Sequence, residues 1–260
     1  MNNIHNTKFA GTFYPDNANN LLKMFRRFET QSVFSKYNNI KAIIVPHAGY
    51  IYSGFIAYNG FKVASTDRYN KIVTLSPSHY VPIDGVACNN FSKLSTPLGK
   101  IDTTNDYKAL QKQKGYTLEN SIFLNEHSFE ILLPFIKHFY PNTPLTSLIA
   151  GNINNYQIYA KKINQLIEKS LLIVSSDLSH FHPYKIARQI DNTTIKKILN
   201  LKPIIKPEEA CGANGINILI TIALLNNWTP ILIKYQNSGD TAGDKSSVVG
   251  YCSIIFVKSK

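Results

Sequence analysis

Short apolar runs that stop at a histidine or a carboxylate set the pattern of this sequence. The run at 41–45 leads into Pro46-His47, the run at 71–76 into Pro77-Ser78-His79, and LLIVSS into Asp177-Leu178-Ser179-His180. A fourth run, SIFLN, leads into Glu126-His127. The first three are four to six residues long and rich in Ile, Val and Leu, as strands buried on both faces are. In an open parallel α/β sheet, ligands bind outside the carboxyl ends of the strands. Side chains that bind metal or move protons, placed at three such ends, should therefore converge on one rim.

Periodicity predicts helices over 16–29, 53–64, 104–115, 128–140, 155–169, 184–199 and 214–226. Strands are expected over 41–45, 71–76, 145–149, 171–176, 230–236 and 248–257, with a short edge strand at 83–87. STPLGKID, at 95–102, reads as a turn region. Pro134 should kink the 128–140 helix or mark its first turn. The last two strands should pair antiparallel at an edge, the final one half-covered. Strand and helix alternate without linker or repeat. That pattern predicts an α/β fold: one domain over 1–260 with a mainly parallel central sheet flanked by helices.

The 28 Lys and Arg against 16 Asp and Glu give a net charge of +12. The lysines are scattered, with no run of four basic residues, which reads as a solvated surface rather than a specific nucleic-acid interface. No 18-residue apolar run suggests a membrane span, and the N-terminus lacks the apolar core of a signal peptide. Three widely spaced cysteines, an odd number, suit a reducing cytoplasm. The phosphate-loop, dinucleotide-binding, HExxH and GxSxG signatures are all missing.

His47 follows a strand-stopping proline and precedes Ala48-Gly49, which fixes its direction, as a metal ligand or general base requires. His79 repeats the design. Asp177 and His180 stand three apart and would share a face if a helical turn starts there; an N-cap role is the plainer reading of the carboxylate. Glu126-His127 offers either a first-turn carboxylate or a further cleft imidazole. Cys211 precedes a glycine near the start of the 214–226 helix, where the dipole favours thiolate; a small buried residue is the alternative. Cys88 and Cys252 read as core. Tyr50, Tyr52 and Tyr80 would line the pocket, and Asp240 and Asp244 would border it.

At these residues the chain resembles the Memo family, also described as protein B of the AmmeMemoRadiSam system. The matching stretches include AGTFYP at 10–15, VPHAGYIYSG at 45–54, LSPSHYVPIDGVA at 75–87 and NEHSFEILLPFI at 125–136. They continue with VSSDLSHFHPY at 174–184, ACGANGI at 210–216 and YQNSGDTAGDKSSVVGYCSIIF at 235–256. The resemblance implies a fold like the class III extradiol (LigB-type) dioxygenases, non-haem iron enzymes whose metal is held by two histidines and a carboxylate. In Memo-like proteins the matching pocket has two histidines and a cysteine, here His47, His79 and Cys211. His180, with Asp177, matches the segment resembling the dioxygenases' acid/base, and His127 matches a pocket histidine.

A thiolate in place of the carboxylate keeps the charge but softens the site, moving preference toward copper and zinc while still allowing iron. Ring opening is therefore not inherited with the fold. The implied protein binds iron or copper, or zinc, and carries out redox chemistry on a small molecule or peptide in the cleft. The alternative is a non-enzymatic metal- or peptide-binding module working with radical-SAM and AMMECR-type proteins.

Overall fold

The computed structural model describes residues 3–32 and 35–258. In chain order the strands are β1 (Ile4–His5), β2 (Ile40–Val45), β3 (Lys71–Pro77), β4 (Val86–Cys88), β5 (Lys93–Thr96) and β6 (Gly99–Asp102). They continue as β7 (Tyr116–Leu118), β8 (Leu145–Ala150), β9 (Ser170–Ser175), β10 (His180–His182), β11 (Trp228–Asn237) and β12 (Val248–Lys258). The helices are α1 (Ala18–Thr30), α2 (Phe55–Ala64), α3 (Tyr107–Leu110), α4 (Asn120–Leu124) and α5 (His127–Glu130). After them come α6 (Leu133–Phe139), α7 (Tyr156–Leu166), α8 (Tyr184–Leu199), α9 (Ala213–Asn226) and α10 (Ser238–Thr241).

The large sheet runs β12-β2-β9-β3-β8-β4-β7, with β11 and β10 both on β12; β1, β5 and β6 form a small separate sheet. Its centre, β2-β9-β3-β8, is parallel throughout. The three strands that run into His47, Asp177 and His79 are thus neighbours pointing the same way, and their carboxyl ends share one rim, as the sequence predicts.

Alternate residues of each central strand enter opposite cores. Ile43, Val45 and Ile173 pack with α1, α2 and α6, whereas Ala42, Ile44 and Val174 pack with α7 and α9. Helices on both faces explain the unbroken apolar runs. At α2 the helix presses close enough that a Cβ on Gly60 would lie 2.8 Å from Val45 Cγ1 and 3.0 Å from Ser253 Oγ. Gly60→Ala is expected to destabilise the protein by about 1–3 kcal/mol through overpacking, exceeding the gain of up to about 1 kcal/mol in helix propensity. Urea unfolding at equal slope checks it.

Several local expectations are corrected. The 104–115 helix shrinks to α3, because QKQKG at 111–115 offers no apolar face, and the chain turns at Gly115 into the unforeseen β7. β7 covers β4, which is therefore internal rather than an edge. The 95–102 turn region is the hairpin β5–β6. β12 is buried along most of its length rather than half-covered, since β2 flanks it opposite β11. The 128–140 helix breaks into α5 and α6, with Pro134 in the first turn of α6, the first-turn role expected of it. The fourth run, SIFLN, overlaps α4. A π-helical turn at Tyr50–Gly54 leads directly into α2, three residues earlier than the expected start at 53. No helix among the described residues is long and apolar enough to cross a membrane.

Candidate metal centre

His47 leaves the end of β2 fully buried. Its main-chain N–H donates to Asp177 Oδ1 at 2.8 Å, and its ring Nδ1 lies 2.8 Å from Ser175 Oγ. The Ser175 hydroxyl donates its own proton to the Ser128 carbonyl at 2.7 Å. It must therefore accept from the ring, which places the imidazole proton on Nδ1 and leaves Nε2 with a free lone pair. That Nε2 lies 3.3 Å from Cys211 Sγ.

His79 is fixed by the same logic with a stronger acceptor. Glu126 accepts from the His79 ring Nδ1 at 2.8 Å and from its main-chain N–H at 2.6 Å. A carboxylate only accepts, so the proton again sits on Nδ1 and Nε2 is free. Glu126 also caps α5 by accepting from Ser128 N–H at 3.0 Å. The carboxylate thus serves the helix N-terminus, as one sequence reading has it, and also holds the His79 ring, a contact the sequence did not suggest.

Cys211 reaches the rim from the chain just before α9. Its sulfur accepts from Asp177 N–H at 3.3 Å. Burial and the Asp177 carboxylate push the thiol well up from its ordinary value, so the helix N-terminus alone does not make it a thiolate. Among the described residues, donor atoms of His47, His79 and Cys211 lie within 4.8 Å of one another. A tetrahedral ion with bonds of about 2.0 Å to nitrogen and 2.3 Å to sulfur separates its N and S ligands by about 3.5 Å, close to the 3.3 Å between His47 Nε2 and Cys211 Sγ. The donor set fits a first-row transition metal.

The other expected residues surround this group. Asp177 is neither a helix N-cap nor the hydrogen-bonded partner of an imidazole; its carboxylate holds the main chain after β2 through His47 N–H, and no helical turn forms at 177–180. Burial lifts it to about 7. His180 begins β10 instead, and its charge is felt at His47. Burial, more than any neighbour, lowers its pKa. His127 heads α5, its ring 4.6 Å from that of His79 and 5.4 Å from that of His47. Burial first, then His79, takes it down to about 4, so it is neutral at physiological pH. It forms a second group of potential ligands with His79 and Glu126.

Tyr80 is exposed beside His127, its hydroxyl 3.4 Å from Nδ1. Tyr50, expected in the pocket, is buried in the core and donates to the Ile131 carbonyl. Asp240 instead closes a capping box with Asn237 at α10, and Asp244 accepts from Ser246. Cys88 and Cys252 are buried core residues. Sequence reasoning missed Ser175 and Ser128; their only signal was a polar residue at a strand end or helix start.

The fold and the site define the class: an α/β protein with a candidate metal-binding group of two histidines and a cysteine at the carboxyl rim of a parallel sheet. Residues 5–255 match the model of the Memo-like protein family, and the chain belongs to that family. A MEMO1 family protein of Sulfurisphaera tokodaii is 31% identical over 85% of this chain and 84% of its own length. Another, from Methanococcus maripaludis, is 30% identical over 96% of this chain and 99% of its own. The crystal structure of an uncharacterized protein, JW3007 from Escherichia coli K12, aligns with a TM-score of 0.53 over 84% of this chain and 99% of that one. At 13% identity it shows the shared fold alone.

Proposed function

We propose that this chain holds one iron or copper ion through His47 Nε2, His79 Nε2 and Cys211 Sγ and acts as an oxidoreductase on a small molecule or peptide in the cleft. The observation that carries this reading is the pair of fixed tautomers: Ser175 and Glu126 each take the Nδ1 proton, so both rings present a lone pair toward the region of the thiol. Bound there, iron or copper supplies one-electron chemistry. Zinc also suits the donors but would leave the site without redox capacity.

The surrounding residues divide the remaining work. Glu126 strengthens His79 as a donor and holds its ring plane. Asp177 anchors the His47 loop and titrates near neutrality, so it can take up or release a proton beside the thiol. His180, half-buried at the start of β10, shuttles protons at the mouth. His127, neutral, offers a hydrogen bond to a ligand near Tyr80. The free thiols suit a cytoplasmic location.

A second reading removes turnover, making the chain a non-enzymatic metal- or peptide-binding module working with radical-SAM and AMMECR-type partners. Exposed Ile51 in the π-helical turn after β2, Tyr80 after β3 and Phe181 in β10 after β9 favour it. The test of both begins with elemental analysis of protein purified anaerobically without added metal. Near-stoichiometric iron or copper supports the metal centre, and metal-dependent oxygen consumption then separates oxidoreductase from binding module. Failure to hold metal even after reconstitution overturns the oxidoreductase reading and leaves peptide or partner binding.

A further inference from the structure

The AGTFYP stretch at 10–15 is a matching segment that supplies no ligand to the metal centre. Residues 8–14 form a tight hook, closed by Gly11 N–H to Tyr14 O at 2.8 Å and Phe13 N–H to Phe9 O at 2.9 Å. Gly11 adopts φ +85°, a left-handed value that favours glycine. One carboxylate latches the hook. Glu130, fully buried, accepts from Lys8 N–H at 3.0 Å to each oxygen, from Phe9 N–H at 2.8 Å and from Tyr14 Oη–H at 2.8 Å. These donors are neutral, so the carboxylate's role is to gather main-chain N–H groups rather than to pair with a cation.

The same short helix carries the latch and a pocket histidine. His127 opens α5 and Glu130 closes it, three residues apart and on one side of the turn. Phe9 and Phe13, delivered by the hook, pack on the His127 ring with centroids 5.9 and 5.3 Å away. The Phe13 carbonyl also accepts from Tyr50 N–H at 2.8 Å, which ties the hook to the loop after His47.

We propose that Glu130 is a positioning residue: by latching the hook it presses Phe9 and Phe13 against His127 and holds that imidazole over His79, as a fixed hydrogen-bonding partner for whatever enters the cleft. The inference goes beyond the metal reading and does not need the three ligands to hold an ion. Glutamine weakens the latch: its oxygen can take the Oε1 contacts, but its NH₂ then stands at the Oε2 position against the Lys8 N–H, and the charge that strengthens every one of these bonds is lost.

The test is histidine modification by diethyl pyrocarbonate on the full chain treated with chelator, mapped by mass spectrometry, with His182 as internal reference. Glu130→Gln and Phe13→Ala are each expected to raise the His127 rate by about tenfold through local loosening, and Phe13→Leu to restore most of the protection. Metal uptake should stay within about twofold of wild type in both, because the residues that orient the ligands are untouched. If Glu130 serves stability alone, Glu130→Gln lowers the melting temperature while the His127 rate stays at the wild-type value in both variants, which overturns the proposal. A rate that rises in Phe13→Ala alone overturns the latch. If Glu130→Gln does not fold, Tyr14→Phe, which removes one latch bond, takes its place. If wild-type protein binds no metal, the metal reading fails while the His127 rates still decide this one.

Discussion

Cys211→Ser and His47→Ala, purified anaerobically, are each expected to bind iron or copper several-hundred-fold more weakly than wild type and to emerge from purification metal-free. The size follows from ligand counting: structural metal sites gain roughly 10–16 kcal/mol over four ligands, so one ligand carries about 3–4 kcal/mol. The cysteine variant has a further signature. Burial and Asp177 hold the free thiol well above its ordinary value, so the metal must displace a proton to bind there. His47, held well below its ordinary value, has no such proton to lose, and Asp177 has lost its own above about 7. Wild-type affinity should therefore tighten about tenfold per pH unit between roughly 7.5 and 9, and Cys211→Ser should lose that slope. Competition against a chromophoric chelator at several pH values measures both. Equal metal content in wild type and variants would sink the three-residue site; a flat wild-type profile would remove the thiol from it.

The sequence exposed the candidate ligands because chemistry and topology coincide there. An apolar strand that must stop at the sheet's carboxyl rim leaves its next polar residues at the site, so His47, His79 and Asp177 could be placed before any coordinates. Cys211 was harder, since it follows no strand; the glycine after it and the helix start at α9 were its local signals. What stayed hidden were contacts between residues far apart in sequence. Ser175 holds a ring 128 positions away and Glu126 one 47 away, and neither spacing leaves a periodic trace. The same limit explains Tyr50. Its place in the PHAGYIYSG loop suggests a pocket wall, but the π-turn carries it into the core beneath Phe135. Short strands such as β7 escape because three residues are too few for a period to show.

Asp177→Asn is expected to move stability and metal affinity in opposite directions. The carboxyl, ordinarily near 3.8, is lifted to about 7 by burial, against the pull of the His47 and Ala48 N–H groups. Between those values the folded, metal-free chain keeps a proton that the unfolded chain has lost. Stability therefore falls as pH rises through this window and levels off above about 7, by at most on the order of 4 kcal/mol. Asparagine carries no such charge, and its Oδ1 still accepts from His47 N–H. Loss of the Ala48 bond costs about 1 kcal/mol, less than the relief from burying a charge at high pH. With chelator present, the variant should be more stable than wild type at pH 8, no more stable at pH 4, and without the wild-type slope between. The bound ion has the opposite need. It loses a negative neighbour that touches both His47 and Cys211 through the main chain, so affinity should drop about 10–100-fold. Urea unfolding at the two pH values, paired with metal titration at pH 8, reads both arms. A variant less stable than wild type at both pH values would mean that Asp177 is ionised and fully compensated in the metal-free fold. Unchanged metal affinity would place its charge outside the ion's reach.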